Sequence, residues 1–261
     1  MKIDFNFSKC LEKRGILVCL NQKCEWMFLW WYKNVRKFSN LPIMFVDLGM
    51  SNDAKSFCKK NGHYFDGRDF VSYFEKIKPS ENLLTFLNNH YPKSIFEIRT
   101  YWFSKALASI YTIFEETLFL DLDLRVNYPL ENIFSNIEKK DLALCYAADV
   151  DLGMFFYYKL ISIDEKIYNS GVIVYKHNSE IILKWSKKAF EESFEFLGDQ
   201  DVLSRVIYEN NSDINILSDK WNYKFKGDEE NDVYINHYMG GPNKINLFKE
   251  IYPNESFEII N

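Results

Sequence analysis

The 261-residue chain has little proline or glycine, six and ten residues, and no Pro/Gly/Ser-rich tract, low-complexity segment or internal repeat along which it would divide. One domain spanning 1–261 is therefore expected. No run of about 18 apolar residues occurs, which argues against a membrane-spanning helix. The opening MKIDFNFSKCLEKRG lacks the continuous apolar segment of a secretory signal. Basic charge is not in excess: 32 Lys and Arg face 37 Asp and Glu, a net charge of −5. That argues against nucleic acid as the partner, since phosphate binding needs a basic surface. Five cysteines (Cys10, Cys19, Cys24, Cys58, Cys145) form an odd set with no C-x-x-C pair and no histidine at zinc spacing. Reduced structural thiols in a cytoplasmic, soluble chain are the expectation.

What the chain does have is apolar and aromatic mass, 47% and 18% of residues, enough for a large core. GILVCLN (15–21) reads as a buried strand and LPIMFVDLG (41–49) as a second. Between them EWMFLWWYKNVRKF (25–38) reads as a dense aromatic helix. That helix is expected to pack on a sheet, although its basic end also suits peripheral contact with a membrane interface. SNDAKSFCKKNG (51–62) is a short helix with Ser51 near its N-cap and Gly62 just past its end. Residues 63–93 are broken by Gly67, Pro79, Asn88, Asn89 and Pro92 and assign to no element. A long helix covers 94–114, strands cover 117–123, 141–148 and 169–176, and helices follow over 178–196 and from Gly198. INIL (214–217) and VYINHYMG (233–240) read as late strands. Alternation of this kind predicts an α/β fold, a mixed but mainly parallel central sheet flanked by helices, with ligands beyond the carboxyl ends of the strands.

Asp-x-Asp occurs three times, as Asp121-Leu122-Asp123, Asp149-Val150-Asp151 and Asp199-Gln200-Asp201. About one such match is expected by chance in a chain this long, so context decides among them. Asp121 and Asp123 follow TLFL at the end of a buried strand, where period 2 sets both carboxylates on one side. Buried acids there need a partner, and paired carboxylates suit Mg2+ or Mn2+. The alternative is an ion pair with Arg125. Asp149 and Asp151 follow another apolar strand and either line the same cleft or lie in a surface loop. Asp199, after Gly198, reads as a helix N-cap.

The order TLFLDLDLRVNYPLENIF, NSGVIVY, GDQDVL, HYMGGPNK resembles the GT-A glycosyltransferases, nearest to family 8, which includes glycogenin and bacterial lipopolysaccharide glycosyltransferases. The similarity runs from Gly15 to about Lys244. It implies a GT-A fold and a metal site in which Asp121, Leu122 and Asp123 form the DxD segment and His237 is the third ligand, for Mn2+ or Mg2+. It further implies that a UDP-sugar donor contacts Leu20 and Asn21 at the end of the first strand, Lys105, Asn169, Ser170 and Gly171, and the late Gly240 and Lys244. Asp199 and Gln200 match the DQ that holds the sugar and faces its anomeric carbon. Asp149, with Asp151, is assigned to the acceptor side. The family usually ends its late motif in Lys-Pro-Trp, whereas here Lys244 comes one residue later with no Pro-Trp after it.

The function so implied is retaining transfer of a hexose, glucose or galactose from UDP, to a hydroxyl of a surface glycan, lipopolysaccharide or other lipid-linked acceptor at the inner face of the membrane. Three alternatives stand beside it: a protein-modifying, effector-like transferase, an inactive sugar-nucleotide-binding domain, and a Mg2+-dependent haloacid-dehalogenase-type phosphatase. The last also sets Asp-x-Asp after a strand, but its later acidic motif requires an acid at 203, where this chain has Leu203.

Overall fold

The computed structural model describes residues 3–147, 152–227 and 232–255. In chain order the elements are β1 Glu12–Leu20, α1 Glu25–Phe38, β2 Ile43–Asp47, α2 Asn52–Asn61, β3 His63–Asp66, α3 Arg68–Phe74, α4 Glu81–His90 and α5 Ile95–Ala108. They continue with β4 Phe114–Leu120, β5 Leu124–Val126, β6 Leu142–Tyr146, α6 Leu152–Tyr157, β7 Tyr168–Lys176, α7 Glu180–Glu192 and α8 Asp199–Glu209. The last are β8 Asn215–Ile216, β9 Tyr223–Lys224, β10 Ile235–His237 and α9 Gly241–Ile251.

Seven strands form the main sheet in the order β3-β2-β1-β4-β7-β6-β8, and β5-β10-β9 form a small second sheet. β7 runs antiparallel to both its neighbours, while the other pairings of the main sheet are parallel. The core follows from period-2 alternation. Ile16, Val18 and Leu20 of β1 face one layer with Phe28, Trp31 and Val35 of α1. Leu17 faces the other, with Phe70 and Phe74 of α3, Phe103 and Leu107 of α5, and Trp185 of α7. Strands covered on both faces are mainly apolar, as Ile43–Val46 of β2 are, and the buried Asp47 that ends β2 is held by Tyr64 at 2.6 Å and Lys55 at 3.0 Å.

The aromatic helix packs on the sheet as expected. Phe28 meets Phe45 and Phe57 edge-on, and Trp30 meets Tyr238. No helix among the described residues is long and apolar enough to cross a membrane. Ser51 caps α2 by accepting the Ala54 N–H at 3.2 Å, as its residue type predicts. Several boundaries differ from the sequence reading. The long helix stops at Ala108 and passes through a short 3-10 turn, Ser109–Tyr111, into β4. The unassigned stretch 63–93 holds β3, α3 and α4; Phe70 and Phe74 of α3 close against α5 and α7, and Leu83, Phe86 and Leu87 of α4 against Ile95 of α5 and Phe155 of α6.

The reversed direction of β7 positions the site. Leu120 pairs with Val172, so β7 begins at the edge where the parallel strand β4 ends. The Asp121 N–H donates to the Gly171 carbonyl at 2.9 Å. Residues 169–171 and 121–123 therefore meet although 46 residues separate Asp123 from Asn169.

Candidate active site

β4 ends at Leu120, so Asp121 and Asp123 occupy the turn into β5 rather than the strand itself. Their carboxylates still converge. Asp121, Asp123 and His237 each offer a ligand atom within 4.8 Å of the others. His237 arrives on β10, whose pairing with β5 sets it opposite Leu124, and the Tyr238 N–H donates to the Asp123 carbonyl at 2.9 Å. The Arg125 alternative is not realised: its guanidinium lies 3.5 Å from Glu250 instead.

Charge is balanced by two lysines. Lys105, on α5, is buried rather than on a solvated helix face. Its Nζ lies 3.0 Å from Asp199 Oδ2, 3.4 Å from Asp121 Oδ1, and 3.0 and 3.3 Å from the hydroxyl and carbonyl oxygens of Ser170. Burial disfavours the ammonium, but Asp121 and Asp199 outweigh it and hold its pKa above the ordinary lysine value. Lys244, at the start of α9, pairs with Asp123 Oδ2. Burial works against the Asp123 carboxylate, yet Lys244 and then His237 keep it ionised far below the usual range. Asp121 shifts the opposite way: desolvation in the cleft, with Asp123 adding like charge, raises it past what Lys105 offsets.

The helix opened by GDQD has Gly198, not Asp199, at its N-cap. Asp201 accepts the Gly198 N–H at 2.9 Å, the reciprocal half of a capping box. Asp199 is thereby free to turn its carboxylate to Lys105, and the Trp185 indole N–H anchors its carbonyl at 2.8 Å. Gln200 follows in the first turn, half-buried beside it. Asn21 follows β1 and accepts the Cys24 N–H at 3.2 Å, which caps the turn leading into α1. Gly240 has φ +81°, a left-handed geometry suited to glycine, and starts α9. Gly171 is needed for proximity: a Cβ there would stand 2.3 Å from His237 Cε1 and 3.0 Å from Asp121 Oδ2. Asp149 and Asp151 lie outside the described residues.

One residue of this cluster carried no signal in the sequence. Asn222, buried in the turn before β9, bridges His237 Nδ1 at 2.8 Å and Asn169 Oδ1 at 2.7 Å. It belongs to no motif and becomes visible only through its contacts.

Two carboxylates and an imidazole nitrogen could hold a divalent metal ion. The His237 Nε2 faces Asp123 Oδ1 at 3.3 Å, a contact that either a proton on Nε2 or a bound cation satisfies. The three residues fit a divalent ion.

No protein-family model matches this sequence, and comparison with curated proteins returns no match. Solved structures do match. Galactosyltransferase LgtC in complex with donor and acceptor sugar analogs superposes with a TM-score of 0.59 at 14% identity, over 96% of this chain and 98% of that one. The fold is GT-A. Mouse xyloside xylosyltransferase 1 matches at 0.56 and 13% identity over 87% of this chain and 97% of its own. The glycosyltransferase GlyE of Streptococcus pneumoniae TIGR4 matches at 0.56 and 16%, over 96% of this chain and 58% of its own. The phosphatase alternative finds no support, because residue 203 is a leucine of α8 fully buried in the core.

Proposed function

We propose that this protein is a metal-dependent glycosyltransferase of the family-8 type. It would transfer a hexose, glucose or galactose, from UDP to an acceptor hydroxyl with retention. The observation that carries the reading is the joining of the Asp121, Asp123 and His237 group to Asp199 through one buried ammonium, Lys105. Breaking an anomeric C–O bond builds negative charge on the leaving diphosphate and positive charge on the sugar. A site serving both ends must hold cationic and anionic groups a fixed distance apart.

Asp121, Asp123 and His237 would hold Mn2+ or Mg2+, which supplies Lewis-acid neutralisation of the diphosphate charge when bound. Lys244, on a helix start rather than a rigid strand, is placed to exchange its contact with Asp123 for one with a phosphate oxygen. Lys105 is fully engaged by protein oxygens, so it acts by orienting Asp121 and Asp199 and adding fixed positive potential. Asn169, Ser170 and Gly171 would line the sugar, with Asp199 binding its hydroxyls. Gln200 would face the anomeric carbon of an oxocarbenium-like transition state. Leu20 and Asn21, at the carboxyl end of β1, would take the base and ribose. Asp149 and Asp151 remain the proposed acceptor-side acids. The acceptor proposed is a surface glycan, lipopolysaccharide or other lipid-linked saccharide met at the inner face of the membrane; the net negative charge of the chain does not favour direct lipid binding.

The test is a screen of UDP- and GDP-sugars for metal-dependent donor hydrolysis without acceptor. Hydrolysis of a UDP-hexose that stops with EDTA and returns with Mn2+ is expected. Nucleotide binding without turnover would favour the inactive binding domain instead.

A further inference from the structure

The hydrogen bonds around His237 form a chain whose polarity is decided at its far end. The Gly171 N–H can only donate, so the Asn169 atom 2.8 Å from it is the carbonyl oxygen. That oxygen is also 2.7 Å from one terminal atom of the Asn222 amide, which must then be the NH2 group. The other terminal atom of Asn222, 2.8 Å from His237 Nδ1, is consequently its oxygen and can only accept. His237 Nδ1 therefore carries a proton, and the lone pair of the neutral ring sits on Nε2, the nitrogen facing Asp123. The other end is closed as well: the Asn169 NH2 points to Met239 Sδ at 3.2 Å, so an Asn169 flip would set its NH2 against the Gly171 N–H. Asn169, Asn222 and His237 are all buried, which leaves little room for water to substitute for a missing link.

We propose that Asn222 is a positioning residue of the metal site: through Asn169 and the Gly171 backbone it locks His237 as the Nδ1–H tautomer, presenting Nε2 as the ligand. The proposal rests on the reading of Asp121, Asp123 and His237 as metal ligands, but the tautomer itself does not. Asn169 acquires a role in this chain of bonds besides any contact with sugar. A histidine ligand whose other nitrogen donates to an oxygen is oriented and made more basic, and loss of such an outer partner typically weakens metal binding roughly 10–100-fold.

Two measurements on the full-length protein test it. In long-range 1H–15N spectra of metal-free, 15N-histidine-labelled protein, assigned by His237→Gln, Nδ1 of His237 is expected to carry a proton; a bare Nδ1 overturns the proposal whether or not any metal binds. Mn2+ affinity, read by electron paramagnetic resonance, is expected to fall roughly 10–100-fold in Asn222→Ala. It should recover in part in Asn222→Asp, whose carboxylate still accepts from Nδ1. Wild-type affinity in a folded Asn222→Ala protein also overturns it. Absence of Mn2+ binding in the wild type would count against the metal reading alone, and the tautomer measurement would still decide the hydrogen-bond chain. Should Asn222→Ala fail to fold, the wild-type spectrum decides the question.

Discussion

Lys105 Nζ stands 3.0 Å from Asp199 Oδ2 and 3.4 Å from Asp121 Oδ1, so one buried ammonium ties the start of α8 to the turn after β4. Removing one partner of a buried pair leaves the other charge uncompensated. Lys105→Met should therefore cost about 3–5 kcal/mol, read by urea denaturation. Lys105→Met combined with Asp199→Asn should be less destabilised than the sum of the single changes. Strict additivity would show that the pair is not coupled.

Asp121→Asn should abolish transfer while leaving a cooperative unfolding transition. In the wild type, UDP with Mn2+ should raise the melting temperature more than either alone, and Asp121→Asn should lose that excess. Near-normal turnover in the variant would remove Asp121 from the metal site.

Lys244 competes with a cation for Asp123. Lys244→Met should bind Mn2+ alone more tightly, because the carboxylate is no longer shared. The same variant should bind UDP in the presence of Mn2+ roughly tenfold more weakly, the size of one charge-assisted contact. Equal losses in both titrations would place Lys244 in a purely structural role.

Gly171→Ala should displace the His237 ring, since the added Cβ would stand 2.3 Å from Cε1. Overpacking of this kind typically costs about 1–3 kcal/mol, and metal affinity should fall with it. A variant with unchanged stability and Mn2+ binding would show that the ring has space to yield.

Burial lifts the Asp201 carboxyl from its ordinary 3.8 to about 7, more than the Gly198 N–H lowers it. A carboxyl that holds its proton more tightly when folded favours the native state at low pH, and that contribution is lost as pH rises from about 4 to about 7. Asp201→Asn keeps an acceptor for Gly198 and cannot ionise. The variant should gain stability over wild type progressively across that interval, as measured by denaturation at several pH values. A pH-independent difference would mean that Asp201 does not titrate there.

The elements that gave themselves away in the chain are those with a strong local cause. The strands β1, β2, β4 and β7 each contain an apolar run (Ile16–Leu20, Ile43–Val46, Leu118–Leu120, Val172–Tyr175) because both faces are covered there, and Ser51 caps α2 with its own side chain. Asp121 and Asp123 could be picked out because they follow the apolar run of β4, whereas Asn169, Ser170, Gly171 and the sugar-side role of Asp199 came from the GT-A resemblance. The stretch 63–93 could not be assigned, since short elements take their stability from the helices they pack against, α5 and α7 for α3 and α5 and α6 for α4, rather than from periodicity. Residue type points to Asp199 as the cap but does not say which carboxylate of a D-Q-D turn reaches back; Asp201 does.

Composition and apolar patterning thus determined an α/β layer structure with its acids at strand ends, because burial and hydrogen-bond saturation act residue by residue along the chain. Which of those acids meet, and on what terms, was decided by tertiary structure. The antiparallel entry of β7 brings Gly171 beside Asp121, and the β5–β10 pairing delivers His237 to Asp123. Asn222 closes the last gap from a turn with no signature of its own. Register and chain direction are properties of pairs of segments, and no single segment carries them.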